Sequence, residues 1–299
     1  MTIDLPVWAR DILSSPPRRG EGLNPWLMRA SVALRRSGRS EAETIEELRC
    51  LTAGEPVKPG EIERAARRSA EYVNNDGAAY RPPAPKWPAV DKAARAAVIA
   101  EHDGGAVELW ERSPARFDDD SSHTEEIVDR LFPGNPLICV ADGPESAVTG
   151  PRESFRGRLG GKGLIVPSPM TKLTGINQDG EEAVRCLDNT GPRRFLIVEQ
   201  DSGTQDEQAA VIFHLANQAP LLLVVHSGGK SLHSWFACGS QPESVLRRFF
   251  NHAVSLGADH ALWTRCQLCR MPDGTRRKDG KTVRQAVLYW NPGNTEPAA

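Results

Sequence analysis

Apolar residues recur at helical spacing in the first quarter of the chain. Three segments, residues 24–38, 40–54 and 61–73, each have a start signal, an apolar period and a stop. Asparagine or serine before the first turn, proline within it and glycine after the last turn are typical of helix ends. The pattern therefore predicts a helical module over residues 1–74.

The helical pattern ends in a stretch without periodicity. Residues 75–89 read NDGAAYRPPAPKWPA and hold four prolines. Proline-rich sequence without an apolar period is typical of linkers and extended segments. We predict a linker over residues 75–89 and a second domain over residues 90–299.

The second domain alternates helical periods with short apolar runs. Helices are predicted at 91–113, 122–132, 204–219 and 242–259, and strands at 137–143, 159–168, 193–201, 221–229, 231–239 and 285–291. From residue 193 onward the order is β-α-β-β-α-β, which is that of RRM-like and ferredoxin-like domains. The predicted fold class is therefore α+β, with an RRM-like core behind a small all-helical N-terminal module.

Composition narrows the function classes. The 299 residues are 39% hydrophobic and carry a formal net charge of −2, so a packed core is expected and coating of nucleic acid by bulk charge is not. No apolar stretch approaches the roughly 20 residues that cross a bilayer. Asp4 and Asp11 stand where a signal peptide needs a basic start and an apolar centre. We expect a cytoplasmic protein without membrane contact.

The six cysteines are scattered and do not resemble a secreted disulfide framework. Cys139 and Cys238 lie in apolar runs, which predicts buried thiols. Cys266 and Cys269 form a single C-x-x-C pair. Two interpretations remain open for this pair: half of a zinc site completed by His252 or His260, or two positions in a buried turn or strand.

The most informative pattern is a pair of acids at the end of the apolar run RRFLIVEQD. Glu199 and Asp201 are two residues apart, so in a strand their side chains point to the same face. Two carboxylates side by side repel unless a cation lies between them, and a divalent metal is the usual cation. The alternative is a solvated strand end where the chain turns.

A glycine turn follows in HSGGKSLH. The P-loop pattern is rejected because it needs glycine at the position of Val224 and a helix after Ser231, where a strand is predicted. Glycine amides with Lys230 still favour a phosphate site. Ser231 and His233 are two residues apart and share a strand face, as the acid pair does.

A third acid and a basic segment complete the set. Asp259 follows the last predicted helix, where an aspartate is ordinarily a cap or turn residue. Beyond it, residues 265–284 carry seven cations against Asp273 and Asp279: Arg265, Arg270, Arg276, Arg277, Lys278, Lys281 and Arg284. A polyanion is the expected ligand of such a segment, unless it is only a solvated loop.

These residues resemble the motifs of the archaeo-eukaryotic primase superfamily, and within it the primase-polymerases of phages and plasmids. The motifs are VEQD, KSLH and GAD, in that order, and the resemblance covers about residues 130–292. It implies a DNA-dependent nucleotidyltransferase that makes short primers on a single-stranded DNA template. One departure is Glu199, because aspartate is common at that position.

The resemblance also implies roles for individual residues. Glu199, Asp201 and Asp259 would bind Mg²⁺ or Mn²⁺ and, with His233, form the catalytic set. Lys230, Ser231, His233 and Arg270 would bind the triphosphate of an NTP or dNTP. The remaining cations would contact nucleic acid: Arg265, Arg276, Arg277 and Lys278. The chain holds no helicase motor, so a separate replicative helicase is the expected partner.

Two other functions are compatible with the same residues. One is a catalytically silent replication initiator or nucleic-acid-binding protein with a primase fold. The other is a phosphohydrolase or nuclease that uses the same acids to hold metal.

Overall fold

The computed structural model describes residues 7–14, 16, 23–55, 57–74, 86–102, 104–117, 119–177, 180–239 and 241–295. The chain divides into two compact units. The smaller consists chiefly of residues up to Lys86, and the larger begins at Trp87 and holds most of the rest. Within the described ranges no helix is both long enough and apolar enough to cross a membrane.

The smaller unit is helical, as predicted. Its helices are α1 (Val7–Leu13), α2 (Leu23–Arg36), α3 (Glu41–Leu51) and α4 (Glu61–Asn74). The sequence pattern had indicated the last three but not α1. Trp26 explains α1, because its indole N–H donates to the carbonyl of Ile12 at 2.7 Å and its ring is buried.

The start of α3 illustrates how local sequence sets a helix boundary. Ser40 accepts a hydrogen bond from the backbone N–H of Glu43, and the Glu43 carboxylate accepts one from the N–H of Ser40. Such a capping box satisfies amides that have no partner within the helix. Leu48 of this helix is fully buried in the core of the smaller unit. Of the predicted linker over residues 75–89, residues 86–89 are described and residues 75–85 lie outside the described residues.

The larger unit has five helices among its described residues: α5 (Lys92–Ala100), α6 (Ala106–Glu111), α7 (Thr124–Leu131), α8 (Gln205–Ala216) and α9 (Glu243–Ser255). The prediction of one helix over 91–113 was wrong, because Gly104 and Gly105 break it. Asp206 lies so close to Gly105 that a Cβ there would be 2.2 Å from its Oδ1. The same Oδ1 accepts the N–H of Ala106 at 2.8 Å and starts α6.

The described residues of the larger unit form twelve strands: β1 (Leu137–Ala141), β2 (Val148–Pro151), β3 (Leu164–Ile165), β4 (Gly175–Ile176), β5 (Glu182–Ala183), β6 (Phe195–Gln200), β7 (Leu221–His226), β8 (Leu232–Ala237), β9 (Cys269–Arg270), β10 (Thr275–Lys278), β11 (Lys281–Arg284) and β12 (Val287–Trp290). The predicted strand over 159–168 is shorter than expected, because residues 159–161 form a 3-10 turn instead.

The six elements β6, α8, β7, β8, α9 and β12 follow the predicted chain order. Their strands form one antiparallel sheet in the spatial order β12-β7-β8-β6. The last strand therefore pairs with the second, whereas in the ferredoxin-like arrangement it pairs with the first. The observed fold is thus mixed α+β. Its four-stranded sheet differs from the RRM order because β12 pairs with β7 and not with β6.

A second sheet has the order β2-β1-β3-β9, and β10 and β11 form a separate hairpin. One continuous core of buried residues includes β1 and β3 together with the β6–β8 strands and helices α7 to α9. Trp235, Phe195 and Phe132 are among its largest fully buried side chains, each with 1% or less of its surface exposed. Residues on the two sheets are therefore held in fixed positions relative to one another.

Candidate active site

Backbone pairing brings three sequence-predicted residues into one row. Glu199 on β6 lies directly opposite His233 on β8. On its other side, Gln200 pairs with Ala258, and the N–H of Asp259 donates to the carbonyl of Glu199 at 3.1 Å. Directly opposed residues of antiparallel strands carry their side chains on the same face, with Cβ atoms about 5 Å apart. Backbone pairing therefore places His233 and Asp259 on either side of Glu199.

Asp201 and Lys230 stand at the end of this row. Asp201 lies just beyond β6 and is exposed, and its Oδ2 is 3.7 Å from the Lys230 Nζ. Both side chains are more than half exposed, so the pair contributes little to stability. Asp259 caps a 3-10 turn, since its Oδ1 accepts the N–H of Ala261 at 2.9 Å. One oxygen of the Asp259 carboxylate therefore caps the turn.

His233 is the most unusual residue of the row. Its side chain is only 4% exposed, and neither ring nitrogen makes a hydrogen bond in the described part of the chain. Its Nε2 lies 3.4 Å from Oε1 of Glu199, which is an ion-pair distance without hydrogen-bond geometry. Leaving a buried polar group unsatisfied costs about 1–3 kcal/mol, so such groups commonly mark functional sites.

Opposing influences set the pKa of Glu199. Burial raises it, whereas the adjacent His233, the Ser231 hydroxyl and the charge of Arg270 lower it. The lowering influences prevail, and the pKa lies below its ordinary value. Because the folded-state pKa is depressed, the stabilisation by the ionised carboxylate is present above the ordinary pKa. It is lost as the pH falls through the folded-state pKa.

We predict that His233→Leu raises the pKa of Glu199, because leucine keeps the site buried but removes the favourable charge. Carboxyl ¹³C NMR of the wild-type and variant proteins measures this titration. His226→Leu is the matched control: His226 contacts the Gly229 carbonyl and Gln205, so its loss leaves the Glu199 titration in place. An unchanged Glu199 midpoint in His233→Leu would show that His233 does not act on this carboxylate.

The glycine turn before β8 is held by α8. Gln208 is fully buried, donates to the carbonyl of Lys230 at 3.0 Å and accepts the N–H of Leu232 at 3.0 Å. Ser227 closes the turn, since its N–H donates to the carbonyl of Ser231 at 2.9 Å. As predicted, a strand and not a helix follows Ser231, so this turn is not a P-loop.

The β10–β11 hairpin brings two cations to this turn. A Cβ at Gly229 would lie 2.7 Å from Nη2 of Arg276 and 3.3 Å from Nζ of Lys278. Residues two apart share a face, so Arg276 and Lys278 approach the turn from the same side of the hairpin. Nε of Arg276 is buried without a hydrogen-bond partner among the described residues.

Arg270 reaches the same region from the other sheet, where β9 pairs with β3. Burial lowers its pKa, as does the nearby charge of Arg276, while Glu199 raises it. Two arginines and a carboxylate are therefore within electrostatic reach of one another. Arg276 and Lys278 lie at the turn and Lys230 belongs to it, while Arg270 is within electrostatic reach of Arg276, an arrangement suited to an anion of high charge.

The other predicted cations do not all join this group. Arg277 alternates with Arg276 and Lys278 and is exposed on the opposite face of the hairpin. Arg265 lies between the 3-10 turn at residues 260–263 and β9 and is half-buried. Arg284 is committed to Asp273, with Nε and Oδ1 2.6 Å apart. The cations of the basic segment are therefore not one patch: some approach the glycine turn, one is paired with an acid and others face elsewhere.

The carboxylates of this site are candidate ligands for a divalent metal. In the described ranges no three His, Cys, Asp or Glu side chains are grouped as a ready-made metal site. Mg²⁺ is ordinarily bound by one or two carboxylates together with substrate phosphates, and not by a complete protein cage. Glu199 and Asp259 provide two such carboxylates at opposed positions, and Asp201 a third two residues along. Carboxylate oxygens are hard donors of the kind that Mg²⁺ and Mn²⁺ prefer, although the described residues do not hold three such side chains together.

Cys269 of the C-x-x-C pair and the two candidate zinc ligands, His252 and His260, contact other groups. Cys269 is buried on β9 and its thiol donates to the carbonyl of Ile165 at 3.3 Å, and burial raises its pKa. His252 contacts His214 at 3.0 Å between Nε2 atoms, and His260 stacks on Trp87. The described contacts thus favour the buried-strand interpretation for Cys269. Cys139 and Cys238 are buried, as predicted.

Gln208 was not predicted, although it fixes both ends of the Lys230 turn, and no local signal marks it because its partners lie 22 and 24 residues further along the chain. Trp87 was also not predicted to pack within the larger unit, because it stands in the proline-rich stretch. In comparisons with known proteins, no family model, no curated protein and no solved structure matches this chain.

Proposed function

We propose that this protein is a metal-dependent nucleotidyltransferase that makes short primers on single-stranded DNA, a primase-polymerase of mobile-element type. The observation that carries the proposal is the backbone pairing of Glu199 with His233 and Asp259, together with a glycine turn that Arg276 and Lys278 approach. Carboxylates that hold a divalent ion next to an anion site are what phosphoryl transfer from a nucleoside triphosphate requires. The four-stranded unit is the proposed counterpart of the RRM-like core.

Each residue has a task in this proposal. Lys230 and Arg276 bind the phosphates electrostatically, and Arg270 does so from the second sheet. His233 donates a hydrogen bond to a phosphate oxygen from its buried ring, which gives the unpartnered nitrogen a partner. The Ser231 hydroxyl and the Gly228–Gly229 amides add neutral donors. These groups stabilise the charge that develops on the leaving pyrophosphate.

Glu199, Asp201 and Asp259 would hold Mg²⁺ or Mn²⁺, which when bound supplies charge neutralisation between the phosphates and the attacking 3′-hydroxyl. The structural bond of Asp259 to Ala261 fixes the direction of its carboxylate. The contact between Glu199 and His233 does the same for Glu199 and keeps it ionised.

The proposed partners follow from the same chemistry. The template is single-stranded DNA, and the exposed Arg277 and Lys281 of the hairpin contact its phosphates. Unwinding is assigned to a separate replicative helicase in the cytoplasm.

A primer-synthesis assay tests the proposal. Purified protein is incubated with Mn²⁺ or Mg²⁺, a single-stranded template and either four rNTPs or four dNTPs, one of them labelled. We expect products longer than the labelled nucleotide on a denaturing gel, and none without added metal or template. Separate rNTP and dNTP pools report which sugar is accepted.

Two other outcomes have distinct meanings. Normal DNA binding with no product in either nucleotide pool would overturn the enzyme proposal and leave a nucleic-acid-binding protein. Shortened template or released phosphate would instead assign the same acids to metal-dependent hydrolysis.

A further inference from the structure

A stack of aromatic rings and guanidinium groups lies one residue from the proposed active site. The rings of Trp87 and His260 are parallel, with an interplanar angle of 3° and centroids 5.6 Å apart. The Arg247 guanidinium carbon lies 3.5 Å from the centroid of Trp87. Trp263 joins the cluster at its edge, 6.1 Å from Trp87, with Arg193 over its ring at 4.4 Å.

The cluster has an inner and an outer end. Phe250 is fully buried and packs edge-on against Trp87 at 5.5 Å, which anchors the inner end in the core. Trp87 is half-buried, whereas His260 is exposed. An exposed imidazole adds little to a hydrophobic core. Core packing accounts for Phe250 and Trp87, but it does not account for a ring held flat at the surface.

The position of His260 is fixed relative to the catalytic row. It directly follows Asp259, whose N–H donates to the carbonyl of Glu199 at 3.1 Å. It is also the first residue of the 3-10 turn that Asp259 caps. A group stacked on His260 therefore lies one residue along the chain from Asp259, at the edge of the sheet formed by β6.

Aromatic rings interleaved with arginines are the usual platform for unpaired bases. Stacking of a base on a ring is tolerant of sequence, because every base has a π face, and arginine adds cation–π attraction. We propose that His260, backed by Trp87 and Arg247, stacks an unpaired base of single-stranded nucleic acid next to the active site. The inference rests on the proposed function, since it takes the template strand as the ligand.

Binding of a labelled oligodeoxythymidylate to the full chain tests the inference, without metal or nucleotides so that synthesis plays no part. Fluorescence anisotropy gives Kd for wild type, His260→Ala, His260→Phe and Trp110→Ala. Trp110 is the matched control, an aromatic residue 36% exposed on α6. We expect His260→Ala to weaken binding at least about fivefold, and His260→Phe and Trp110→Ala to bind like wild type.

The salt dependence separates stacking from charge. The slope of log Kd against log salt should be the same in His260→Ala as in wild type, because no phosphate contact is removed. Circular dichroism melting of each variant checks that it is folded.

Several results would overturn the inference. These are an unchanged Kd in His260→Ala, an equal loss in His260→Phe, or a loss confined to free dTTP with oligonucleotide affinity intact. The last would assign the ring to the base of the incoming nucleotide. If primer synthesis fails for wild type but His260→Ala still weakens oligonucleotide binding, the proposed enzyme is wrong and the stacking platform stands.

Discussion

Replacing Glu199 and Asp201 together by alanine is expected to reduce primer synthesis to less than about one hundredth of the wild-type rate. The two carboxylates are proposed metal ligands at the end of β6 and just beyond it, and loss of metal-borne charge stabilisation costs several kcal/mol of transition-state energy. Labelled-primer gels under single-turnover conditions measure the rate. Oligonucleotide affinity should change little, because the proposed template contacts are on the hairpin and at His260.

Two further variants make this result specific. Glu145→Ala removes an exposed carboxylate in the larger unit and should leave synthesis at the wild-type rate. Glu199→Asp shortens the side chain, which draws the carboxylate away from its 3.4 Å contact with His233, so a lower rate is expected. A double alanine variant that still makes primers would remove the acid pair from the mechanism and with it the enzyme proposal.

Asp273→Asn is expected to destabilise the protein by about 3 kcal/mol. The Asp273 side chain is 2% exposed and pairs with Arg284 through two contacts of 2.6 and 3.0 Å, and it accepts the N–H of His123 at 2.7 Å. An amide in its place turns N–H donors toward the guanidinium and leaves a buried charge pair broken. Because Arg284 is 39% exposed, water compensates in part. Urea unfolding measures the change.

Asp279→Asn is the matched control for this variant. Asp279 is in the same hairpin and, like Asp273, has a left-handed backbone, with φ values of 50° and 55°. Asparagine tolerates that conformation well, so the backbone cost is the same at both positions. Asp279 is exposed, and its replacement should change stability by less than about 0.5 kcal/mol. Equal effects at the two positions would contradict the role given to the buried pair.

The Asp273 variant should also weaken nucleotide binding. Arg284 is on β11 of the hairpin that carries Arg276 and Lys278, so breaking its pair with Asp273 loosens the base of that hairpin. Loosening that base removes the fixed approach of both cations to Gly229. Asp279→Asn leaves the base intact, so its nucleotide affinity should match wild type.

Local signals in the sequence predicted much of the fold. Thr204 and Glu207 form the capping box that begins α8, and the apolar run before Glu199 forms the buried strand β6. These features depend on neighbours along the chain, which is why spacing predicts them. Of the second sheet, β1 and β3 lie within predicted strands, whereas β2 and β9 were missed, and β9 has only two residues, too few for a readable period.

Long-range pairings lay beyond the sequence. The position of Asp259 opposite Glu199 depends on a backbone bridge between segments 58 residues apart, Gln200 and Ala258, which no spacing rule contains. Arg284 counted as one more cation of a basic run, but Asp273 neutralises it. Trp87 stands in a proline-rich stretch that resembles a linker, and only its packing on Phe250 shows that it belongs to the larger unit.

The buried imidazole of His233 has a consequence for how the protein balances stability against activity. Neither ring nitrogen of His233 has a hydrogen-bond partner among the described residues, although His233 favours the ionised form of Glu199. The free protein therefore holds a buried polar group whose missing hydrogen bond costs about 1–3 kcal/mol. An anion that accepts a hydrogen bond from His233 removes this cost. Binding of such a ligand therefore stabilises the folded protein.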